Sequence, residues 1–201
     1  MTVQIKELQR RDGRRAISFA ITGMHFDWYL SPGPLLRLYG RYFWYLELSR
    51  ATQAFGAYAD GRLAGVLLAR FDGEPPRYRS PGRALFVRLF GALQRLAGGV
   101  RAYDRVNQEM LRDYRARHRP DGELLFLAAD PDAQGRGAGT ALLAELARRA
   151  PGRELYLFTD SGCTYRFYER RGFERAGERE ITLELGAKRV PLTCFLYRKT
   201  L

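Results

Sequence analysis

The chain has 201 residues, 46% apolar and 13% aromatic, a composition that suits a packed globular core and excludes wholesale disorder. No apolar run reaches the roughly 18 residues of a membrane span, Met1 to Arg15 lacks the apolar core of a secretory leader, and Cys163 and Cys194 have neither metal nor redox spacing, which points to no metal and to free thiols in a reduced, cytoplasmic setting. The formal charge is +12, and because lysine occurs only at 6, 188 and 199, 31 of the 34 basic residues are arginine.

In chain order, Thr2 to Lys6 alternates apolar and polar and predicts a short strand. Arg11–Ala20 and Leu35–Ser49 have helical spacing and are separated by the breaker Ser31-Pro32-Gly33-Pro34. The second of these helices carries Tyr39, Tyr42, Phe43, Trp44 and Tyr45, a run expected to pack as a core face. Met24 to Tyr29 reads as the loop between them, where side chains are free to meet a ligand. Thr52 to Phe71 predicts a hairpin, since two apolar runs flank Asp60-Gly61, a dipeptide that tolerates positive φ.

The pattern changes at Asp72. Two adjacent prolines make 72–80 a loop, and helical spacing returns over Pro81–Ala97 and Tyr103–Arg117. Between Arg77 and Arg119 eleven arginines face Asp104, Glu109 and Asp113, a local balance of +8. Such a segment attracts nucleic acid, anionic lipid or an acidic ligand, or it is a solvated arginine surface. Residues 72–121 therefore read as a basic helical insertion between the third and fourth strands of a single domain spanning 1–201.

Beyond it come a strand at Glu123–Ala129, a helix at Arg136–Ala150, a strand at Arg153–Thr159 and a short helix at Cys163–Arg171 stopped by Gly172. Phe173 to Arg198 reads as two strands turning near Gly186-Ala187-Lys188. This order predicts an α+β fold with a mixed sheet flanked by helices.

The stretch with chemistry in it is the turn after the fourth strand, Gln134-Gly135-Arg136-Gly137-Ala138-Gly139-Thr140. Glycines at alternate positions let a ligand approach the backbone, and the unpartnered N–H groups of a helix start suit a phosphate. No Gly-Lys-Ser/Thr follows at P-loop spacing. A dinucleotide turn is partly matched, with Asp160 ending the next strand, although the glycines run G-x-G-x-G. A tight structural connection needs fewer glycines than this.

A second motif lies about 30 residues on: Phe167-Tyr168-Glu169-Arg170-Arg171-Gly172-Phe173. The pair, Gln-x-x-Gly-x-Gly and then Tyr-x-x-x-Gly-Phe on the next helix, resembles the GNAT acyltransferase superfamily. The resemblance covers 123–173 well and the first seventy residues by element order alone. It implies a mostly antiparallel, twisted sheet and acetyl-CoA, or another acyl-CoA, as co-substrate. It further implies that the pyrophosphate lies on Gln134, Gly135, Arg136, Gly137, Ala138, Gly139 and Thr140, with the pantetheine beside Leu127 and Ala129.

By the same resemblance Tyr168 is the general acid facing the sulfur, with Tyr165 as fallback, and the Leu127 N–H is the oxyanion donor. Glu123, eleven residues before Gln134, matches the glutamate base of the histone-acetylating branch. Strand alternation puts it on one face with Leu125 and Leu127, where apolar neighbours raise a carboxylate's pKa. A residue solvated at a strand start is the alternative, and His25 or a water chain can replace it as base. Ser161 stands where many relatives have asparagine, and it serves the pantetheine or caps the helix. The acceptor is a small-molecule or peptide amine, and a charge of +12 disfavours a strongly cationic one. A nucleic-acid or membrane-surface binder using 77–119, and an NAD(P) oxidoreductase, are the rival functions. Nucleic acid is the less expected partner, and a homodimer stays open.

Overall fold

The computed structural model describes residues 3–96, 101–131, 137–185 and 188–201. Its strands are β1 (Gln4–Glu7), β2 (Gln53–Ala59), β3 (Arg62–Phe71), β4 (Gly122–Ala129), β5 (Glu154–Asp160), β6 (Glu174–Leu185) and β7 (Lys188–Thr200). They form one sheet in the order β1-β2-β3-β4-β5-β7-β6. Only β4 and β5 run parallel, and every other neighbouring pair is antiparallel. A mostly antiparallel sheet is not the doubly wound parallel sheet of a dinucleotide fold, so that rival loses its scaffold. The β2–β3 turn is made by Asp60 and Gly61, both at positive φ (49° and 74°), as a tight hairpin requires.

The helices are α1 (Gly13–Gly23), α2 (Phe26–Tyr29), α3 (Pro34–Arg50), α4 (Pro81–Leu96), α5 (Arg101–Arg115), α6 (Ala138–Arg149) and α7 (Arg166–Glu169). The Met24–Tyr29 loop contains a helical turn, α2, entered through His25 at φ 50°. The expected Cys163–Arg171 helix shrinks to four residues, because hydrogen-bonded turns at Cys163 and Tyr165 occupy its first half. The anticipated Gly186-Ala187 turn lies outside the described residues.

Each face of the sheet carries its own apolar layer. On one, α6 sets Leu142 and Leu146 against Phe55, Leu67 and Leu124, and Phe167, Tyr168 and Phe173 join this layer. On the other, α1 and α3 set Phe19, Trp44 and Leu48 against Val66, Leu68 and Phe126. The aromatic run of α3 packs as expected. Tyr39 meets Phe26 edge-on, Phe43 and Trp44 meet Phe126, and Tyr42 and Tyr45 meet Phe90 and Phe86 of α4. Between β3 and β4, α4 thus rests on α3, while α5 packs Val106, Met110 and Tyr114 against Tyr156 and Leu196.

One irregularity in β4 matters for the site. Leu68 pairs with Phe126 but Ala69 pairs with Leu124, so Leu125 is an extra residue without a partner on β3. A bulge of this kind breaks the two-residue alternation. Leu124 and Leu127 join the α6 layer, whereas Leu125, Phe126 and Ala128 join the α1–α3 layer. Glu123, next to Leu124, therefore lies on the α3 face with Leu125 and not on the face of Leu127, contrary to the simple alternation expected from the sequence.

Candidate active site

The parallel pairing of β4 and β5 stops after two positions, Gly122 with Leu155 and Glu123 with Tyr156. Beyond them the strands separate, although β5 stays paired to β7 as far as Asp160 and β4 to β3 as far as Ala129. The result is a wedge, opening toward the C-terminal ends of both strands. Asp130 donates its N–H to the Ala64 carbonyl on the β3 side at 2.9 Å. Alternation then turns the main chain of Ala128 the same way and that of Leu127 and Ala129 into the wedge. The two strand residues singled out from the sequence are thus the ones whose peptide groups face the gap.

At the open end of the wedge α6 begins. Its N-cap is Gly137, at φ 77°, a conformation that a side chain resists, and no side chain caps the helix. The first helical hydrogen bond is Ala141 N–H to Gly137 O, which leaves the N–H groups of Ala138, Gly139 and Thr140 without helical partners. Gly139 has a different reason to be glycine: a Cβ there would come within 2.9 Å of the Phe167 ring. The close approach seats α7 on the first turn of α6. Gln134, Gly135 and Arg136 lie outside the described residues.

An unanticipated cation stands at this helix start. Arg171 donates to the Thr140 hydroxyl through Nε at 3.0 Å and through Nη2, and to Phe167 O through Nη1 at 3.1 Å. Its guanidinium lies 3.7 Å from the centre of the Phe167 ring. The Thr140 contact crosses from one motif to the other, and a linear sequence gives no signal of it.

Tyr168 is half-buried among Phe167, Phe173 and Tyr197, in the layer that also holds Leu127 and Ala129. Burial pushes its phenol pKa well above the ordinary value, and the nearby Cys163 sulfur adds to the rise, so the hydroxyl is protonated throughout the neutral range. Among the described residues the Tyr168 hydroxyl has no hydrogen-bond partner, whereas the Tyr197 hydroxyl donates to Glu169 at 2.6 Å. Tyr165 packs its ring on Phe195. Cys163 is pushed up to about 12, by burial first and Asp160 second, which removes it as a nucleophile at neutral pH.

Ser161 does not cap the helix. Its Oγ accepts the Thr193 N–H at 3.0 Å and its own N–H reaches Thr193 O, prolonging the β5–β7 ladder. The hydroxyl keeps its proton to donate.

Glu123 is buried, but not among apolar neighbours. Arg50 Nη2 lies 2.6 Å from its Oε2, Tyr156 donates to the same oxygen at 3.3 Å, and Arg70 stands at 3.8 Å. Arg50 also holds Glu47 at 2.8 Å, so two buried carboxylates share one guanidinium. The Glu47 carboxyl is pushed up to about 7, by burial first, with Arg50 opposing and the Glu123 charge adding to the rise. Glu47 was open to detection from the sequence: it falls three and four residues after Trp44 and Phe43, on the buried face of α3. His25 stacks on Trp28 at 4.3 Å, and Trp28 lies over Gly162, whose added Cβ would meet its ring at 2.8 Å. A Cβ on Gly23 would touch Ala128 at 3.5 Å, and Gly23 O accepts from Cys163 Sγ at 3.8 Å. The α1–α2 segment thus touches the end of β4 and the turn after β5, across the wedge.

Comparison with known proteins gives one consistent answer. The family described as "Acetyltransferase (GNAT) family" matches residues 20–173. A putative phosphinothricin N-acetyltransferase of known structure is 16% identical, with a TM-score of 0.57 over 100% of this chain and 99% of its own. A ribosomal-protein-alanine N-acetyltransferase from Brucella melitensis is 18% identical, with a TM-score of 0.56 over 98% and 99%. The PaiA N-acetyltransferase of Thermoplasma acidophilum, solved with coenzyme A, is 15% identical, with a TM-score of 0.52 over 100% of both chains. At these identities the structures establish the fold. No curated protein sequence gives a significant match.

Proposed function

The chain belongs to the GNAT acetyltransferase family, and we propose on that premise that it transfers an acetyl, or another acyl, group from acyl-CoA to an amine acceptor. The observation that carries the reading is the β4–β5 wedge, with a free peptide edge inside it and the start of α6 at its mouth. A pantetheine arm contains two amides and suits the Leu127 and Ala129 edge as an added strand would. A pyrophosphate suits the N–H groups of Ala138, Gly139 and Thr140, with Gln134, Gly135, Arg136 and Gly137 as the rest of the turn. Ser161 is the remaining polar group proposed for the donor. Among the described residues no group of three or more His, Cys, Asp or Glu is placed to hold a metal ion.

In the proposed reaction the amine lone pair attacks the thioester carbon, the C–N bond forms and the C–S bond breaks. The Leu127 N–H meets the developing oxyanion. Tyr168 gives its proton to the departing sulfur and is reprotonated from solvent. We assign acceptance of the amine proton to the Glu47–Glu123 pair, which shares the Arg50 guanidinium and includes the Glu47 carboxyl near 7. The acceptor amine, on a small molecule or a peptide, approaches past His25 and Trp28.

Acetyl-CoA, CoA and NADH should separate this reading from its rivals in a thermal-shift assay. At about 100 times its Kd, acetyl-CoA is expected to stabilise the fold by about 2.7 kcal/mol. No shift with either CoA species overturns the proposal, and a shift with NADH alone replaces it with a dinucleotide enzyme.

Arg171 refines the test. As a cation beside the α6 start, with its fork turned to Thr140, it is placed to add charge to phosphate binding. Arg171→Ala should weaken CoA affinity about tenfold and leave kcat nearly unchanged, measured by isothermal titration and by steady-state kinetics. Unchanged affinity would make Arg171 a packing residue for Phe167 only.

A further inference from the structure

The inner face of α4 is satisfied. Phe86 and Phe90 stack on each other at 5.8 Å and meet Tyr45 and Tyr42 of α3. Its outer face is not polar, as the solvent side of a surface helix normally is. Leu85, Leu89 and Leu93 recur every four residues and are 59%, 64% and 60% exposed. The helix has no acidic residue. Arg77 and Arg79 just before it and Arg88 within it are exposed. Arg88 sits one residue from Leu89, about 100° round the helix, so its long stem can reach sideways while the leucines point down.

We propose that α4 docks the protein on an anionic membrane surface, with Leu85, Leu89 and Leu93 inserted below the headgroups and the flanking arginines among them. Charge selects this occupant. From Arg77 to the end of α4 the sequence has five arginines, at 77, 79, 83, 88 and 95, and no acidic residue. A second copy of the chain would bring two like-charged surfaces together. Three leucines on one helix also fall far short of the roughly 1,600 Å² that a stable protein–protein interface buries. A bilayer accepts leucines one at a time, and every arginine near its surface adds attraction. No helix among the described residues is long and apolar enough to cross a membrane, so the contact is peripheral.

Vesicle co-sedimentation tests this, with phosphatidylglycerol–phosphatidylcholine vesicles beside vesicles of phosphatidylcholine alone. The wild-type chain should pellet with the anionic vesicles, stay in solution with the neutral ones, and be released at about 0.5 M salt. The double variant Leu85→Gln, Leu89→Gln should bind about tenfold less with an unchanged thermal melt, since both side chains are exposed; should that melt fall, Leu93→Gln alone is the substitute and should still lose severalfold in binding. Failure of the wild type to bind anionic vesicles overturns the proposal, as does equal binding by the leucine variants, which would reduce the effect to diffuse charge. A vesicle-free dimer that dissociates in the double variant, seen by sedimentation equilibrium, would assign the face to a second copy instead.

Discussion

Tyr168→Phe should lower kcat by about a hundredfold, the typical contribution of a positioned general acid, while the Kd for CoA stays within about twofold. The structure makes this a clean substitution. The Tyr168 ring is wedged between Phe167, Phe173 and Tyr197, and phenylalanine keeps those contacts. The hydroxyl it removes has no hydrogen-bond partner among the described residues, so little folding energy goes with it. A fall in turnover with an unchanged melting temperature therefore reports on proton donation. Tyr197→Phe is the control: that hydroxyl donates to Glu169, so its loss should lower stability modestly and leave kcat alone. Because the Tyr168 pKa is raised above the ordinary 10.0, wild-type activity should show no fall from tyrosine ionisation up to that pH. Full activity of Tyr168→Phe would remove it as the acid, and Tyr165 would be tested next.

The proposed donor side of this site was legible in the sequence because its requirements are local. A turn that must place Gly137 at positive φ and bring Gly139 against Phe167 writes those needs as glycines at fixed positions. Leu127 and Ala129 were named by the family resemblance alone, and the pairing of β4 with β3 turns their peptide groups into the wedge. The proposed base side was not legible in that way. Glu123 was placed by assuming unbroken alternation, and the Leu125 bulge, which has no composition cue, moved it to the other face of the sheet. The partners it met there, Arg50, Arg70 and Tyr156, come from three other elements, and such meetings are decided by tertiary packing alone. The leucine stripe of α4 shows the same limit from the other direction. Phe86, Leu89, Phe90 and Leu93 share one helical apolar spacing, and only the packing of α4 on α3 separates a phenylalanine face turned inward from an exposed leucine one.

Arg50→Met should be the most damaging single change to the fold, because it strands two buried carboxylates. Glu47 and Glu123 side chains are each 10% exposed, and Arg50 is the cation within 3 Å of both; Arg70, at 3.8 Å from Glu123, compensates little. Breaking a buried ion pair by removing one partner costs about 3 kcal/mol, which for a chain of this size lowers the melting temperature by about 10 °C. The loss has a pH signature. Glu47 already has a folded pKa near 7 against 4.5 unfolded, so its favourable contribution is complete below about 4.5 and disappears as pH rises through 7. Without Arg50 the pull that opposes this rise is gone, so the variant should approach wild-type stability at pH 5 and fall furthest behind at pH 8. Glu47→Gln in the same background should recover part of the loss at pH 8 by removing one of the two charges. The kinetic counterpart is the acid limb of kcat/KM: wild type should rise with an apparent pKa near 7, and Glu47→Gln should abolish that limb. A stability loss equal at pH 5 and pH 8 would show that Arg50 acts by packing rather than charge. An acid limb that survives Glu47→Gln would return the proton to water or to His25 and leave the two carboxylates as a structural pair.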